Sequence, residues 1–204
     1  MNTMKWFTLF ITTCFSSLAL AQSPGYQETG RPAVQHPEGK IEVVEYFWFG
    51  CPHCYALEPY IKKWLETKPD WIDFRREAPP FNKNWQVHSQ AFFAAELMGV
   101  SDVVVEPIFD AIHRDKKSLN SVESIASFVG ELGVDEQTFA STMQSFAVQG
   151  RMSRAGQSAI QYGLRGVPAI VVHGKYLTSG SIAGSYDRMI EVINTLAEQE
   201  YQTQ

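Results

Sequence analysis

The sequence predicts an α/β protein in which a sheet built from both ends of the chain carries an all-helical insertion. Strand signals occur only around residues 41–49, 71–76 and 169–177, and apolar residues recur at helical spacing before the last of these. The length of 204 residues and an apolar share of 45% suit a well-developed core and exclude wholesale disorder. A net charge of -5 gives no basic surface, so nucleic acid is not an expected partner.

The N-terminus has the pattern of a cleaved secretory signal peptide over residues 1–21. Lys5 precedes an apolar run from Trp6 to Leu20, and small residues at the end of this run predict cleavage after Ala21. An uncleaved membrane anchor is the alternative, although a run of about 15 residues is short for a bilayer span. Such a signal peptide would direct export of the mature chain, which would then meet oxidising conditions.

The first part of the mature chain predicts a strand, a helix and a second strand. Residues 22–40 are rich in Gly and Pro and indicate a loop-rich lead-in. Ile41 to Phe49 is a nearly continuous apolar run, which is typical of a strand buried on both faces. Helical spacing follows, and Trp71 to Arg76 indicates the second strand.

Helix signals dominate the middle of the chain. The first helix there has a stop signal at Gly99, and the next is expected over Asp102 to Arg114. Asn120 is expected to cap a helix that ends at Gly133, and Asp135 to cap a further helical stretch that continues to about Tyr162. The sequence therefore places several consecutive helices between the two groups of strands.

Strand signals return near the C-terminus and define the domain division. Ala169 to Val172 and Lys175 to Leu177 predict a hairpin, which a final amphipathic helix follows. We therefore expect a sheet-bearing domain formed by residues 22–81 and 155–204. Residues 82–154 are expected to form the inserted helical domain.

The motif Cys51-Pro52-His53-Cys54 carries the chemistry, and its two cysteines are the only ones left once cleavage removes Cys14. It follows a predicted strand and opens a predicted helix, whose N-terminus stabilises a thiolate at Cys51. Pro52 suits the first helical turn, and a cationic His53 would add to the stabilisation. Cys54 lies one turn deeper, so the pair has the exposed nucleophile and shielded partner that thiol-disulfide exchange requires.

Other uses of two such cysteines are less well supported. A structural disulfide over so short a loop would contribute only about 2 kcal/mol. Haem attachment needs His directly after the second cysteine, where the chain has Tyr55. Zinc needs four ligands, and the chain has no second cysteine pair. We therefore expect neither a metal nor a cofactor.

A second motif, Gly166-Val167-Pro168-Ala169, precedes the predicted C-terminal hairpin. Taken alone, Pro168 would be a trans proline that starts an edge strand. Together with the strand, the CPHC motif, the helical insertion and His173-Gly174-Lys175-Tyr176, however, the chain closely resembles the DsbA family of the thioredoxin superfamily. The resemblance covers essentially the whole mature chain and implies a thioredoxin-like fold with an inserted all-helical domain.

The resemblance also implies roles for individual residues. Cys51 would be the nucleophile that forms a mixed disulfide, and Cys54 would be the resolving thiol. His53 would help to hold the Cys51 thiolate, which makes the disulfide strongly oxidising. Pro168 would be a cis proline facing the disulfide, and the Val167 backbone would pair with an extended substrate segment.

Glu45 matches the buried acid that members of the family place beneath the cysteine pair. It shares a predicted strand face with apolar residues, and a carboxyl buried there could relay a proton to or from Cys54. A solvated acid on an edge strand is the alternative. Pro52, next to the nucleophile, is assigned to the substrate-binding residues. Arg75 and Arg76 either balance Glu45 or end the strand in solvent, and we leave both outside the site.

The expected function is oxidation of cysteine pairs in newly translocated proteins, through donation of the Cys51–Cys54 disulfide. The family implies a monomer that a membrane-bound DsbB-like protein reoxidises. One alternative is a periplasmic disulfide isomerase or reductase of the same fold, although residues 22–40 are too short for the extra dimerisation domain of DsbC-like isomerases. Another is a binding module with an inert structural disulfide.

Overall fold

A five-stranded sheet runs through the structure, a computed structural model that describes residues 24–203. The elements, in chain order, are β1 (Gln27–Glu28), β2 (Ile41–Tyr46), α1 (Pro52–Leu65), β3 (Ile72–Glu77), α2 (Lys83–Met98), α3 (Ser101–His113), α4 (Val122–Glu131), α5 (Glu136–Met143), α6 (Phe146–Gln161), β4 (Ala169–Val172), β5 (Tyr176–Thr178), α7 (Gly180–Ala183) and α8 (Tyr186–Gln202). The α/β class with an inserted run of helices is thereby confirmed. The predicted signal peptide, residues 1–21, lies outside the described residues.

Strand β2 lies near the centre of the sheet, whose order is β1-β5-β4-β2-β3. It is parallel to β3 and antiparallel to β4, which pairs in turn with β5. Val43 packs with α1 and α8 on one face, and Val44 packs with α6 on the other. Burial on both faces explains the continuous apolar run in the sequence.

The helices between β3 and β4 surround a second apolar core. Large side chains from every one of them are buried in it, among them Phe92, Phe109, Ile125, Phe139 and Met152. The C-terminal half of α6 reaches the sheet, where Ala159 packs beside β2 and β4. Helix α6 thus connects the helical core to the sheet.

Three local features differ from the sequence expectations. Ser121, and not Asn120, caps α4, because its side chain and that of Ser124 satisfy each other's backbone N–H groups. The lead-in contains β1, which is only two residues long and pairs with β5 as the edge strand of the sheet. Helices α5 and α6 are separate, and Ser145 caps the second of them. Within residues 24–203, no helix has the length and apolar character needed to cross a membrane.

Candidate active site

The cysteine motif lies at the carboxyl end of β2, where the chain turns into α1. Cys51 is the N-cap residue of α1, and Pro52 occupies the first turn of the helix. The backbone N–H of Cys51 donates to the Trp48 carbonyl at 2.9 Å. Because the first turn of a helix leaves backbone N–H groups without helical partners, those of His53 and Cys54 are available to the Cys51 sulfur.

The two cysteines are free thiols in very different surroundings. Cys51 is 7% exposed and Cys54 is fully buried. A hydrogen bond from the Cys54 thiol, the N–H groups of the first turn and the nearby His53 lower the pKa of Cys51 to about 6, although burial acts in the opposite direction. Burial, together with the hydrogen bond to Cys51 and the charge of its thiolate, raises the pKa of Cys54. At neutral pH the pair therefore consists of a Cys51 thiolate beside a Cys54 thiol.

The loop before β4 faces the cysteines from the other side. The Val167–Pro168 peptide bond is cis, as the resemblance implied, and the Val167 carbonyl oxygen lies 3.4 Å from the Cys51 sulfur. A groove of about 830 Å³ opens beside this loop, and its walls include His53, Val167 and Pro168. Pro52 is exposed next to Cys51 and is not part of the groove wall.

Glu45 is fully buried and lies in an ion-pair network below the cysteines. Its register partner on β3 is Arg76, whose Nε donates to Glu45 Oε2 at 2.8 Å and whose Nη2 donates to Glu58 Oε1 at 2.8 Å. The other oxygen of Glu45, Oε1, is buried and has no hydrogen-bond partner within the described part of the chain, residues 24–203. The charge of Glu45 is one of the influences that raise the pKa of Cys54, after burial and the effects of Cys51.

Arg76 was left outside the site in the sequence analysis, and the structure corrects this. The alternative of a solvated strand end is wrong for Arg76, because its side chain is only 16% exposed and pairs with two carboxylates. The pairing of Arg76 with Glu45 depends on the register of β2 and β3. The sequence alone did not specify that register, so no local pattern indicated the contact. Arg75 instead pairs with Glu42 and is 40% exposed.

Aromatic residues connect the motif to the helical insertion. Phe49 is buried in the helical core, and Trp48 stacks on Trp85 of α2 with ring centroids 4.9 Å apart. The Tyr55 hydroxyl donates to Asp110 of α3 at 2.9 Å. These contacts make the aromatic residues around the motif part of the helical core or of its border.

Tyr186 is a site residue that the sequence analysis missed. It begins α8, and its hydroxyl donates to the His53 carbonyl at 3.0 Å. The two residues are 133 positions apart, so no local pattern indicated the contact. Among residues 24–203, no group of three His, Cys, Asp or Glu side chains could hold a metal ion.

The lowered pKa of Cys51 predicts that the stability of the reduced protein depends on pH. The folded-state pKa falls from 9.0 to about 6, so thiolate stabilisation is present above the unfolded pKa and is lost as pH falls through 6. At pH 7 it amounts to roughly 1 kcal/mol. Urea unfolding of the reduced protein should show stability rising from pH 6 to 9, a rise that Cys51→Ala should lack. A thiolate absorbance transition at 240 nm with a midpoint near 9 would contradict this assignment.

Comparisons with known proteins agree with this geometry. The family model of the DSBA-like thioredoxin domain matches residues 42–187. The thiol:disulfide interchange protein DsbA of Pseudomonas aeruginosa is 42% identical over 175 residues, which cover 86% of this chain and 83% of the relative. The DsbA of Azotobacter vinelandii is 41% identical over 189 residues, 89% of this chain and 88% of the relative.

Solved structures show the same similarity. The crystal structure of Pseudomonas aeruginosa DsbA matches with a TM-score of 0.83 at 42% identity, over 88% of this chain and 93% of that one. The DsbA oxidoreductase from Xylella fastidiosa matches with a TM-score of 0.80 at 27% identity, over 87% and 96% of the two chains. Since the family model spans most of the sequence and the relatives are matched over most of their length, this chain belongs to the DsbA family of thiol:disulfide oxidoreductases, with a DSBA-like thioredoxin domain.

Proposed function

We propose that this thiol:disulfide oxidoreductase oxidises cysteine pairs in exported proteins by donating a Cys51–Cys54 disulfide. A substrate thiolate attacks the Cys51 sulfur, the bond between the two cysteines breaks, and Cys54 leaves with the electron pair and takes up a proton. The second substrate thiolate then attacks the substrate sulfur of the mixed disulfide and expels Cys51 as a thiolate. Two electrons pass to the protein, and the substrate gains a disulfide.

The pKa values of the two thiols are shifted in opposite directions, and this observation carries the proposal. The pKa of Cys51 is lowered to about 6, which makes it a good leaving group in the second step. The pKa of Cys54 is raised, so Cys54 stays protonated and rarely attacks the mixed disulfide to reverse the first step. Both displacements favour net oxidation of the substrate.

The remaining predicted site residues have supporting roles in this proposal. His53 contributes to stabilising the thiolate, and Pro168 lines the groove together with His53 and Val167. The Val167 backbone, beside the Cys51 sulfur, would pair with an extended substrate segment. Pro52 is exposed and would contact the substrate from the opposite side.

Glu45 is proposed to relay the proton that Cys54 takes up when it leaves, because a carboxylate can accept a proton and pass it on. Its Oε1 is buried and has no hydrogen-bond partner among residues 24–203, and the charge of Glu45 acts on Cys54, so this oxygen is the candidate proton carrier. Arg76 holds the other carboxylate oxygen and would position Glu45 for this transfer. Glu58, the second partner of Arg76, completes the network.

The cellular setting follows from the sequence and the family. We propose that residues 1–21 are a signal peptide, that the mature protein is a periplasmic monomer, and that a membrane-bound DsbB-like protein reoxidises it. Its substrates would be newly translocated proteins with reduced cysteines. Residues 22–81 and 155–204 would form the thioredoxin-like domain, and residues 82–154 the inserted helical domain.

A trapping experiment tests the proposed chemistry. With Cys54→Ser, attack of a reduced one-cysteine peptide on a disulfide between Cys51 and glutathione or an aromatic thiol should release that thiol and leave a stable Cys51–peptide disulfide. Neither Cys54 nor a second peptide thiol is then present to resolve the adduct. In the matched control variant Cys51→Ser, the remaining cysteine, Cys54, is fully buried and should be unreactive under the same conditions. Mass spectrometry distinguishes the adducts, and equal labelling of the two variants would refute the assignment of Cys51 as the nucleophile.

The alternative functions give different results with the wild-type protein. A disulfide isomerase would reshuffle a scrambled substrate faster than it oxidises a reduced one. A reductase would hold its disulfide too stably to oxidise the peptide, and an inert structural disulfide would exchange with neither peptide nor glutathione.

A further inference from the structure

Tyr186 lies against the first turn of α1 although it belongs to α8. Its hydroxyl donates to the main-chain carbonyl of His53 at 3.0 Å, within the CPHC motif itself. Its ring packs against Tyr60 of α1, with centroids 5.4 Å apart. Tyr186 is therefore in direct contact with the redox motif while remaining outside its sequence.

The acceptor of this hydrogen bond is chemically linked to the Cys51 sulfur. The carbonyl of His53 and the N–H of Cys54 belong to one peptide group, and that N–H is one of the donors that face Cys51. A hydrogen bond to an amide oxygen polarises the amide and makes its N–H a stronger donor, by about 10–30% per bond. The Tyr186 hydroxyl, the His53–Cys54 peptide and the Cys51 sulfur therefore form one continuous chain of hydrogen bonds.

We propose that Tyr186 is a positioning residue for the redox pair, which holds and polarises the His53–Cys54 peptide so that its N–H stabilises the Cys51 thiolate. This inference rests on the proposed function of Cys51 as the attacking and leaving thiolate. It adds a residue from the C-terminal helix to the groups that set the stability of the reduced form.

The surroundings of Tyr186 hold its hydroxyl in place. Ser185 caps α8 by accepting from the backbone N–H of Arg188, which fixes the start of the helix. Gly180 leaves room for the ring, since a Cβ there would lie 2.8 Å from Tyr186 Cε1. The side chain thus fits between α7 and α1, with a defined direction for its hydroxyl.

The charged and titratable groups around the Cys51 thiolate leave the Tyr186 hydroxyl protonated and able to donate its hydrogen bond. Cys51 faces Cys54 and His53 of α1, and Tyr186 faces both cysteines and Tyr60. Burial raises the pKa of Tyr186, and the negative charge of the Cys51 thiolate acts in the same direction. The hydroxyl therefore keeps its proton over the range in which Cys51 titrates and can donate throughout.

The test is Tyr186→Phe, which keeps the ring and removes only the hydroxyl. Without the Tyr186 hydroxyl, the Cys51 thiolate and therefore the reduced protein are less stable. The equilibrium with glutathione should then shift about two- to fourfold towards the oxidised protein. The 240 nm thiolate transition should move to higher pH, and the Cys54 amide proton should shift upfield in NMR spectra. Tyr201→Phe is the matched control, because it removes a hydroxyl from the same helix where the ring stacks on Trp71.

The possible outcomes distinguish a failure of the proposed role of Tyr186 from a failure of the proposed redox function. If Tyr186→Phe leaves the glutathione equilibrium and the thiolate transition at the wild-type values, the proposed role of Tyr186 is wrong, while the redox function stands. If only Tyr186→Ala shifts them, the ring and not the hydroxyl is responsible, and the proposal is again overturned. If the wild-type protein itself does not exchange with glutathione, the failure lies with the proposed function.

Discussion

Cys51→Ser should reduce disulfide transfer to the uncatalysed background. A serine hydroxyl cannot form a disulfide, and the fully buried Cys54 has a raised pKa that leaves it protonated and unreactive at neutral pH. Oxidation of a reduced two-cysteine peptide, followed by fluorescence or mass, measures the loss. Ala56→Ser introduces the same hydroxyl at an exposed position of α1 and should retain wild-type transfer.

The result also decides between the functional classes. A binding module with a structural disulfide would keep its function after Cys51→Ser, since a disulfide over so short a loop contributes only about 2 kcal/mol. Peptide oxidation by the serine variant at the wild-type rate would therefore refute the redox function.

Arg76→Met should destabilise the protein by about 3–5 kcal/mol. The substitution removes the one ion-pair partner that the fully buried Glu45 has among residues 24–203, and it removes the contact to Glu58 as well. Taking a charge out of water is tolerated only where a partner compensates it, so the cost comes from the carboxylate that remains. Urea-induced unfolding of the two proteins in the same redox state measures the difference.

The neighbouring arginine is the matched control for this prediction. Arg75 is in the same strand and is 40% exposed, and its partners Glu42 and Glu77 keep some contact with water, at 12% and 19% exposure, whereas Glu45 has none. Arg75→Met should therefore cost about 1 kcal/mol or less. If Arg76→Met and Arg75→Met lowered the free energy of unfolding equally, the network around Glu45 would not be buried as described.

Features with a local signal could be predicted from the sequence. The central strand was recognisable because burial on both faces requires an unbroken apolar run, which Ile41 to Phe49 provides. Cys51 and Cys54 stood out because a strand precedes them and a helix begins between them, which the structure confirms. The cis peptide before Pro168 came from the family resemblance, since an X–Pro bond alone favours trans.

Features that depend on tertiary contacts could not be predicted. Strand β1 has two residues and exists only because β5 offers an unpaired edge. The ion pair between Glu45 and Arg76 depends on the register of two parallel strands, which neither sequence segment specifies by itself. The contact of Tyr186 with His53 joins residues 133 positions apart and needs the C-terminal helix to be docked.

The reduction potential of the Cys51–Cys54 pair, measured in glutathione buffers with the purified mature protein, tests the central claim most directly. DsbA is itself the reference case for a strongly oxidising pair, at about −120 mV, and that value serves here as the family benchmark. A stabilised Cys51 thiolate favours the reduced form, so we expect a potential close to this benchmark. A potential near −270 mV, as in thioredoxin, would contradict the disulfide-donating function and would make the protein a reductant on the same fold.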